Sequence, residues 1–192
     1  MNRVIKGAVF VYPTETSYGI GCDARDKIAV AKIFKIKGRV ASKKMTLIAA
    51  DFNMVKKFVD ARTLRIPEVA EVMRELWPGP LTLVLPANAY ARKNLAPQII
   101  SKNGTIAIRV PDNQLAREIS QQLQAPIVAT SANKAGKSAC YSAAAVRRAF
   151  KNNKIQPDLI IDEGTLPKRK PSTIAEFTGK TWNIIRAGSI KI

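Results

Sequence analysis

The chain has 192 residues, enough for one domain with a buried core, and its 46% hydrophobic content excludes a disordered chain. Lys and Arg number 32 against 14 Asp and Glu, a formal net charge of +18, which favours polyanionic partners such as RNA, DNA or nucleotides. There is no histidine, so imidazole bases, His-based triads and His-ligated zinc are all removed. The two cysteines, Cys22 and Cys140, fit neither a metal spacing nor a disulfide framework. No apolar run reaches the length of a secretory signal or a membrane span. The expected setting is therefore cytoplasmic, with no membrane partner.

Taken in chain order, an apolar strand over residues 8–12 runs into a turn, YPTETSYGIG. Helical spacing of Ile28, Val30, Ala31 and Phe34 predicts a helix over 27–37. A strand over 45–50 and a helix over 52–59 follow. The segment 67–76 opens on a proline, a good first-turn residue, and precedes a strand over 81–85. Strands over 106–110 and 127–129 flank a helix over 113–123 that sets Leu115, Ile119 and Leu123 on one face. A helix over 142–150 has a serine at its start, and strands over 159–162, 172–177 and 182–186 close the chain. This alternation predicts an α/β layer fold with a mixed, twisted sheet and antiparallel pairing at its end. Neither a dinucleotide fingerprint nor a P-loop is present.

Several short segments carry polar chemistry. In the first turn, Thr14, Thr16, Ser17 and Tyr18 bring hydroxyls together beside Gly19 and Gly21. Taken alone, that turn reads equally as a ligand-binding turn and as one whose hydroxyls cap a helix. Lys37 and Arg39 flank Gly38, with Lys43 and Lys44 behind. They suit a phosphate or carboxylate, though favourable cations at a helix C-terminus are the commoner reading of such a pair. Arg109 interrupts an apolar strand, facing either solvent or a cleft. Thr130, Ser131 and Asn133 at a strand end make either an anion nest or a polar turn. Ser172 precedes a strand, Arg186 ends one, and the Lys- and Arg-rich stretch 166–171 is a candidate mobile segment.

Each signal is weak by itself, but their order is specific. Pro-Thr-Glu-Thr-x-Tyr-Gly-x-Gly, Ile-Lys-Gly-Arg, Trp-Pro-Gly-Pro-Leu-Thr, Ile-Arg-Val-Pro, Thr-Ser-Ala-Asn, Pro-Ser-Thr-Ile and Ile-Arg-Ala-Gly succeed one another between Val9 and Gly188. Together they resemble the YrdC/TsaC family. The resemblance implies one YrdC-like domain over residues 1–192, in the short form without an extra C-terminal domain. Its expected fold is α/β, a single-domain twisted open mixed sheet around a basic concave cavity. The implied activity is threonylcarbamoyl-AMP synthesis from L-threonine, bicarbonate and ATP, releasing pyrophosphate, with Mg²⁺ accompanying ATP. The implied product feeds a tRNA threonylcarbamoyl transferase complex, and the basic face implies an RNA partner, tRNA or double-stranded.

Carried over motif by motif, the resemblance makes Lys37 and Arg39 catalytic. Thr16, Tyr18, Arg109, Ala129 and Ser172 would contact threonine. Arg39, Lys43, Thr105, Ser131, Asn133 and Arg186 would contact the nucleotide. No resident metal is implied. Four positions depart from the pattern: Val40 follows Arg39 where proline is frequent, Ile48 stands at a histidine position, Ala135 precedes Gly136 where serine is usual, and Ala139 stands at a serine position. A competing reading is a non-catalytic RNA-binding or ribosome-maturation protein using the same concave face.

Overall fold

Short β-branched segments pair into a sheet because each is too apolar to remain exposed, and the amphipathic segments between them cover its faces. The computed structural model describes residues 7–40 and 44–192. The first strand, β1 (Phe10–Pro13), turns through residues 14–17 into β2 (Tyr18–Gly21). The helix α1 (Lys27–Lys37) starts on Asp26, whose carboxylate accepts from the Ile28 and Ala29 amides, and ends on Gly38 in the left-handed conformation (φ 59°). Then come β3 (Thr46–Ile48), α2 (Phe52–Phe58), a 3₁₀ turn (Thr63–Arg65), α3 (Pro67–Leu76) and β4 (Leu81–Pro86). They are followed by α4 (Ala89–Asn94), β5 (Thr105–Arg109), α5 (Gln114–Leu123) and β6 (Ile127–Ser131). The chain ends with α6 (Ala143–Phe150), β7 (Leu159–Ile160), β8 (Thr173–Phe177) and β9 (Trp182–Arg186). Asp51, Asn88, Asn113 and Ser142 cap α2, α4, α5 and α6 with side-chain oxygens; removing one such cap costs about 1 kcal/mol.

Among the described residues, nine strands form one sheet in the order β7-β1-β2-β6-β3-β5-β4-β8-β9. It is a twisted mixed sheet. The pairs β1–β7, β3–β5 and β4–β8 are parallel, and the other neighbours are antiparallel, including the expected β8–β9 pair. β1 is buried on both faces, as alternation requires of a central strand. Val9 and Val11 join the larger core with α1 residues such as Val30 and Ile33, whereas Phe10 and Tyr12 join Ala116 and Ile119 of α5. Helices therefore cover both faces, and the chemistry-bearing strand ends collect where the two layers part.

Two elements differ from the sequence expectation. β2 lies within the stretch expected to be a turn, and its glycines have a packing reason. A Cβ at Gly21 would collide with the Val128 carbonyl of β6, and one at Gly19 would press on the Tyr12 ring, 3.3 Å away. The glycines thus clear room for neighbouring strands and for Tyr12. The helix α4 was not expected, because its six residues bury only Ala91 and show no apolar stripe.

Candidate active site

A cavity of about 360 Å³ opens where the β1–β2 turn faces the ends of β5 and β6 and the start of β8. The turn supplies Thr14, Thr16 and Ser17 to its wall, with Tyr12 and Gly19 beneath. Thr14 stitches the turn to itself. Its hydroxyl donates to the Ser17 carbonyl at 2.7 Å and accepts from the Thr16 and Ser17 amides, both at 3.2 Å. Thr14 is thereby committed, and the Thr16 hydroxyl stands 3.1 Å from it at the cavity's edge.

Among the described residues, five cations line the cavity: Arg39, Lys44, Arg109, Arg169 and Arg186. No carboxylate is among the lining residues. Arg39 donates to the Lys44 carbonyl at 2.8 Å, and burial lowers its pKa. Arg109 ends β5 almost buried and pairs with Glu15 of the turn. Arg186 ends β9 and grips Ser172, donating to its carbonyl at 2.7 and 3.0 Å and to its hydroxyl at 2.9 Å. Burial and then the nearby Arg109 lower the Arg186 pKa. The Ser172 hydroxyl also lies 3.1 Å from that of Thr82, so its position is fixed from two sides. Ala129, Thr130 and Ser131 of β6 complete the wall beside Ala139 and Tyr141.

Lys37 and Arg39 part company. Gly38 turns the chain between them, and Arg39 reaches the wall while Lys37 is buried behind it. The Lys37 ammonium donates to the Ser131 carbonyl and to the Asn133 carbonyl at 2.7 Å. Burial, helped by Arg39 and opposed by the Cys140 thiol, brings its pKa down to about 8. Asn133 is folded into the same loop, donating to the Lys134 and Lys137 carbonyls at 2.9 and 2.6 Å. Lys37 and Asn133 thus shape the loop that presents Ser131, and neither lines the cavity.

Two further expected residues lie away from the wall. Tyr18 points to the opposite face of β2 from Gly19, as strand alternation dictates. Its hydroxyl donates to the Gly164 carbonyl at 2.8 Å and accepts from the Glu163 amide at 3.0 Å. Thr105 opens β5 while Arg109 closes it, four residues or roughly 13 Å apart at strand rise. Its hydroxyl lies 2.7 Å from that of Ser101. Lys43 lies outside the described residues.

Sequence motifs did not point to Tyr141 or Arg169 as wall residues; for Arg169 the available signal is the basic run 168–170. Ile48, at the position where the resemblance has histidine, is buried with Phe10 and Tyr12 instead of lining the cavity. Ala139 does line it.

The arrangement suits charge neutralisation. It combines guanidinium forks, small hydroxyls and strand-end backbone, which together hold carboxylates and phosphates in fixed orientation. Burial pushes the Tyr12 phenol well above its ordinary range, so that phenol stays protonated.

A family model described as Telomere recombination (Sua5_yciO_yrdC) matches residues 3–188. A protein of Thiobacillus denitrificans named threonylcarbamoyl-AMP synthase is 36% identical over 183 residues, covering 95% of this chain and 90% of its own length. The crystal structure of P. abyssi Sua5 complexed with L-threonine superposes with a TM-score of 0.81 at 35% identity. That match covers 95% of this chain but 51% of the P. abyssi chain, so this chain spans about half its length. The crystal structure of E. coli YciO matches with a TM-score of 0.77 at 28% identity, covering 95% of this chain and 84% of that one. With a family match over nearly its whole length and relatives of this closeness, the chain belongs to the Sua5/YciO/YrdC family.

Proposed function

We infer that this chain is a threonylcarbamoyl-AMP synthase, a nucleotidyltransferase that uses ATP and L-threonine. One observation carries the reading: one cavity joins five cations, among the described residues, to a stitched hydroxyl turn, in a chain 36% identical to a protein bearing that name. The threonine-bound P. abyssi relative supports threonine as the amino acid. Bicarbonate supplies the carbamoyl carbon.

Threonine's amine adds to that carbon and water leaves, giving a carbamate; a carbamate oxygen then bonds to the α-phosphorus of ATP as the bond to pyrophosphate breaks. Every partner is an anion or becomes one, so the protein's task is orientation and charge neutralisation. In this reading Arg109 and Ser172 hold the threonine carboxylate, and Thr16 and the Ala129 backbone hold the rest of the amino acid. Arg39, Ser131 and Arg186 hold the nucleotide, and Lys37 acts by setting the 131–133 loop. Tyr18, Asn133 and Thr105 support the fold around the site and do not touch the substrates.

The wall does not fit a protein-held Mg²⁺. It has no carboxylate, and among the described residues no three Asp, Glu, His or Cys side chains gather to hold a metal. Mg²⁺ enters as the companion of the ATP phosphates. The product is passed to a transferase acting on tRNA in the cytoplasm. Among the described residues no helix is long and apolar enough to cross a membrane. The basic composition also suits transient contact with tRNA.

The test is pyrophosphate release from ATP and Mg²⁺ with each of several amino acids, with and without bicarbonate. The expected result is release that needs both threonine and bicarbonate and falls at least about 100-fold in Arg39→Ala. Release independent of threonine, or none from folded ATP-binding protein, overturns the reading and favours an RNA-binding role.

A further inference from the structure

We propose that Glu15 is the positioning residue for Arg109, pinning one arm of its guanidinium so that the remaining donors meet a substrate monocarboxylate. This rests on the synthase reading for the identity of that carboxylate. Thr14, Thr16 and Ser17 of the turn line the cavity, but Glu15 between them does not. Its side chain turns behind the wall and is 10% exposed, and it pairs with Nη1 of Arg109, whose side chain is 7% exposed. The pairing is single-pointed: Oε1 accepts from Nη1, while Oε2 is buried without a hydrogen-bond partner. A guanidinium has five N–H donors in a planar fork, and a bidentate clasp by Glu15 would take the edge that reads carboxylates. The end-on contact leaves donors for a ligand.

Charge gives a second argument. Arg109 and Arg186 are close enough for one to lower the other's pKa, and Ser172 ties Arg186 at the same end of the cavity. Two uncompensated guanidinium groups there would repel each other and match a dianion. Glu15 offsets the charge of Arg109, so the two guanidinium groups can share one end of the cavity, Arg109 facing the amino acid's carboxylate and Arg186 the nucleotide. Glu15 also links the two elements that meet the amino acid, since the turn carrying Thr16 and the strand end carrying Arg109 are joined through it. A buried guanidinium stripped of its partner is both costly and free to swing. A second orphan, the buried Tyr12 hydroxyl, lies near this pair and sees both of its charges.

The experiment is a cycle of Glu15→Gln, Arg109→Ala and the double variant, read by calorimetric titration with L-threonine and by steady-state kinetics. Glu15→Gln is expected to weaken threonine binding and raise its KM about tenfold, while the KM for ATP and kcat move less than about threefold. In the Arg109→Ala background the same change is expected to add less than about twofold, because its route to the ligand has been removed. Should Glu15→Gln fail to fold, Glu15→Asp keeps the charge but withdraws it by one methylene, and the same split between the two KM values is expected. Unchanged threonine affinity in the Glu15 variants, or an equal loss with and without Arg109, overturns the assignment. Wild-type protein that binds threonine but releases no pyrophosphate overturns the synthase reading alone, since the titration still reads Glu15.

Discussion

The turn 14–17 and the segment 162–171 both border the cavity, one stitched densely to itself and the other held mainly by its neighbours. In the turn, five hydrogen bonds converge within four residues, four of them on the Thr14 hydroxyl and one from the Thr14 amide to the Ser17 carbonyl at 3.1 Å. The loop after β6 is similar, because Lys37 draws together the carbonyls of Ser131 and Asn133 from behind. Residues 162–171 contain no helix or strand, and all but Leu166 are exposed. They are held by the Tyr18 hydroxyl at residues 163 and 164 and by a 2.7 Å bond from the Leu166 amide to the Tyr141 carbonyl. The difference teaches how the two borders divide the work: the inner wall fixes geometry, and the outer segment brings a cation, Arg169, to the mouth. Substitutions that break the inner wall should therefore cost far more than those in the segment.

The largest effect is expected from Lys37→Met. It leaves the buried Asn133 carbonyl without its side-chain donor, at about 1–3 kcal/mol, and the Ser131 carbonyl with the Asn133 amide as donor, and turnover should fall by about 100-fold or more. The same residue gives a pH signature. Its folded pKa of about 8 lies below the ordinary lysine value of 10.5, so between these values the unfolded chain binds more protons. The cost of the buried ammonium is felt in full below about pH 8 and fades toward pH 10.5. Lys37 thus makes stability rise with pH across that window, by at most about 1.4 kcal/mol per pH unit. Urea unfolding across this range should show the rise in wild type and a flatter curve in Lys37→Met. Equal slopes would mean that the ammonium keeps its charge in both states.

Next comes Thr14→Val, which keeps the shape of the side chain but removes the hydroxyl. The Thr16 and Ser17 amides lose their acceptor, and the KM for threonine should rise about tenfold with a lower melting temperature. A normal KM would show that the turn holds its form through the backbone alone.

Much of the fold was legible because the strands are apolar runs separated by helical periods, and a capping serine, Ser142, marks one helix start. β2 was hidden because Tyr18-Gly19-Ile20-Gly21 reads as a turn; its glycines answer to Tyr12 and to the Val128 carbonyl, neighbours that local sequence does not reveal. Of the residues named from the motifs, Thr16, Arg39, Arg109, Ala129, Ser131, Ser172 and Arg186 meet in one wall, because motif residues at strand ends share the end of a sheet. Lys37 and Thr105 show the limit of adjacency. A left-handed glycine sends Lys37 and Arg39 to different places, and one strand carries Thr105 and Arg109 to opposite ends. Glu15 illustrates a third case, a residue inside a motif whose side chain leaves the wall for a partner 94 positions away.

On the outer segment, Arg169→Ala should raise the KM for ATP by only about threefold, since an exposed cation contributes at most about 1 kcal/mol in water. A loss comparable to that of Arg39→Ala would mean that the segment closes over the nucleotide and desolvates Arg169.

The smallest catalytic effect is expected from Tyr18→Phe, and it is also the sharpest test of the division. The ring stays packed in the core beside Val11 and Val30, so the loss is confined to one hydroxyl and its two bonds, about 1 kcal/mol. Hydrogen exchange at the amides of Glu163 and Leu166 should quicken by about 5- to 10-fold, because both report on how the segment is anchored. The amides of Thr16 and Ser17 bond within their own turn and should keep wild-type protection. The KM for threonine should stay within about twofold. Unchanged exchange at Glu163 and Leu166 would mean that contacts other than Tyr18, such as the Tyr141 carbonyl and the Arg147–Asp162 pair, secure the segment. A rise in threonine KM as large as that of Thr14→Val would mean that the far side of β2 is coupled to the amino-acid pocket, and the inner wall would then extend through the strand to Tyr18.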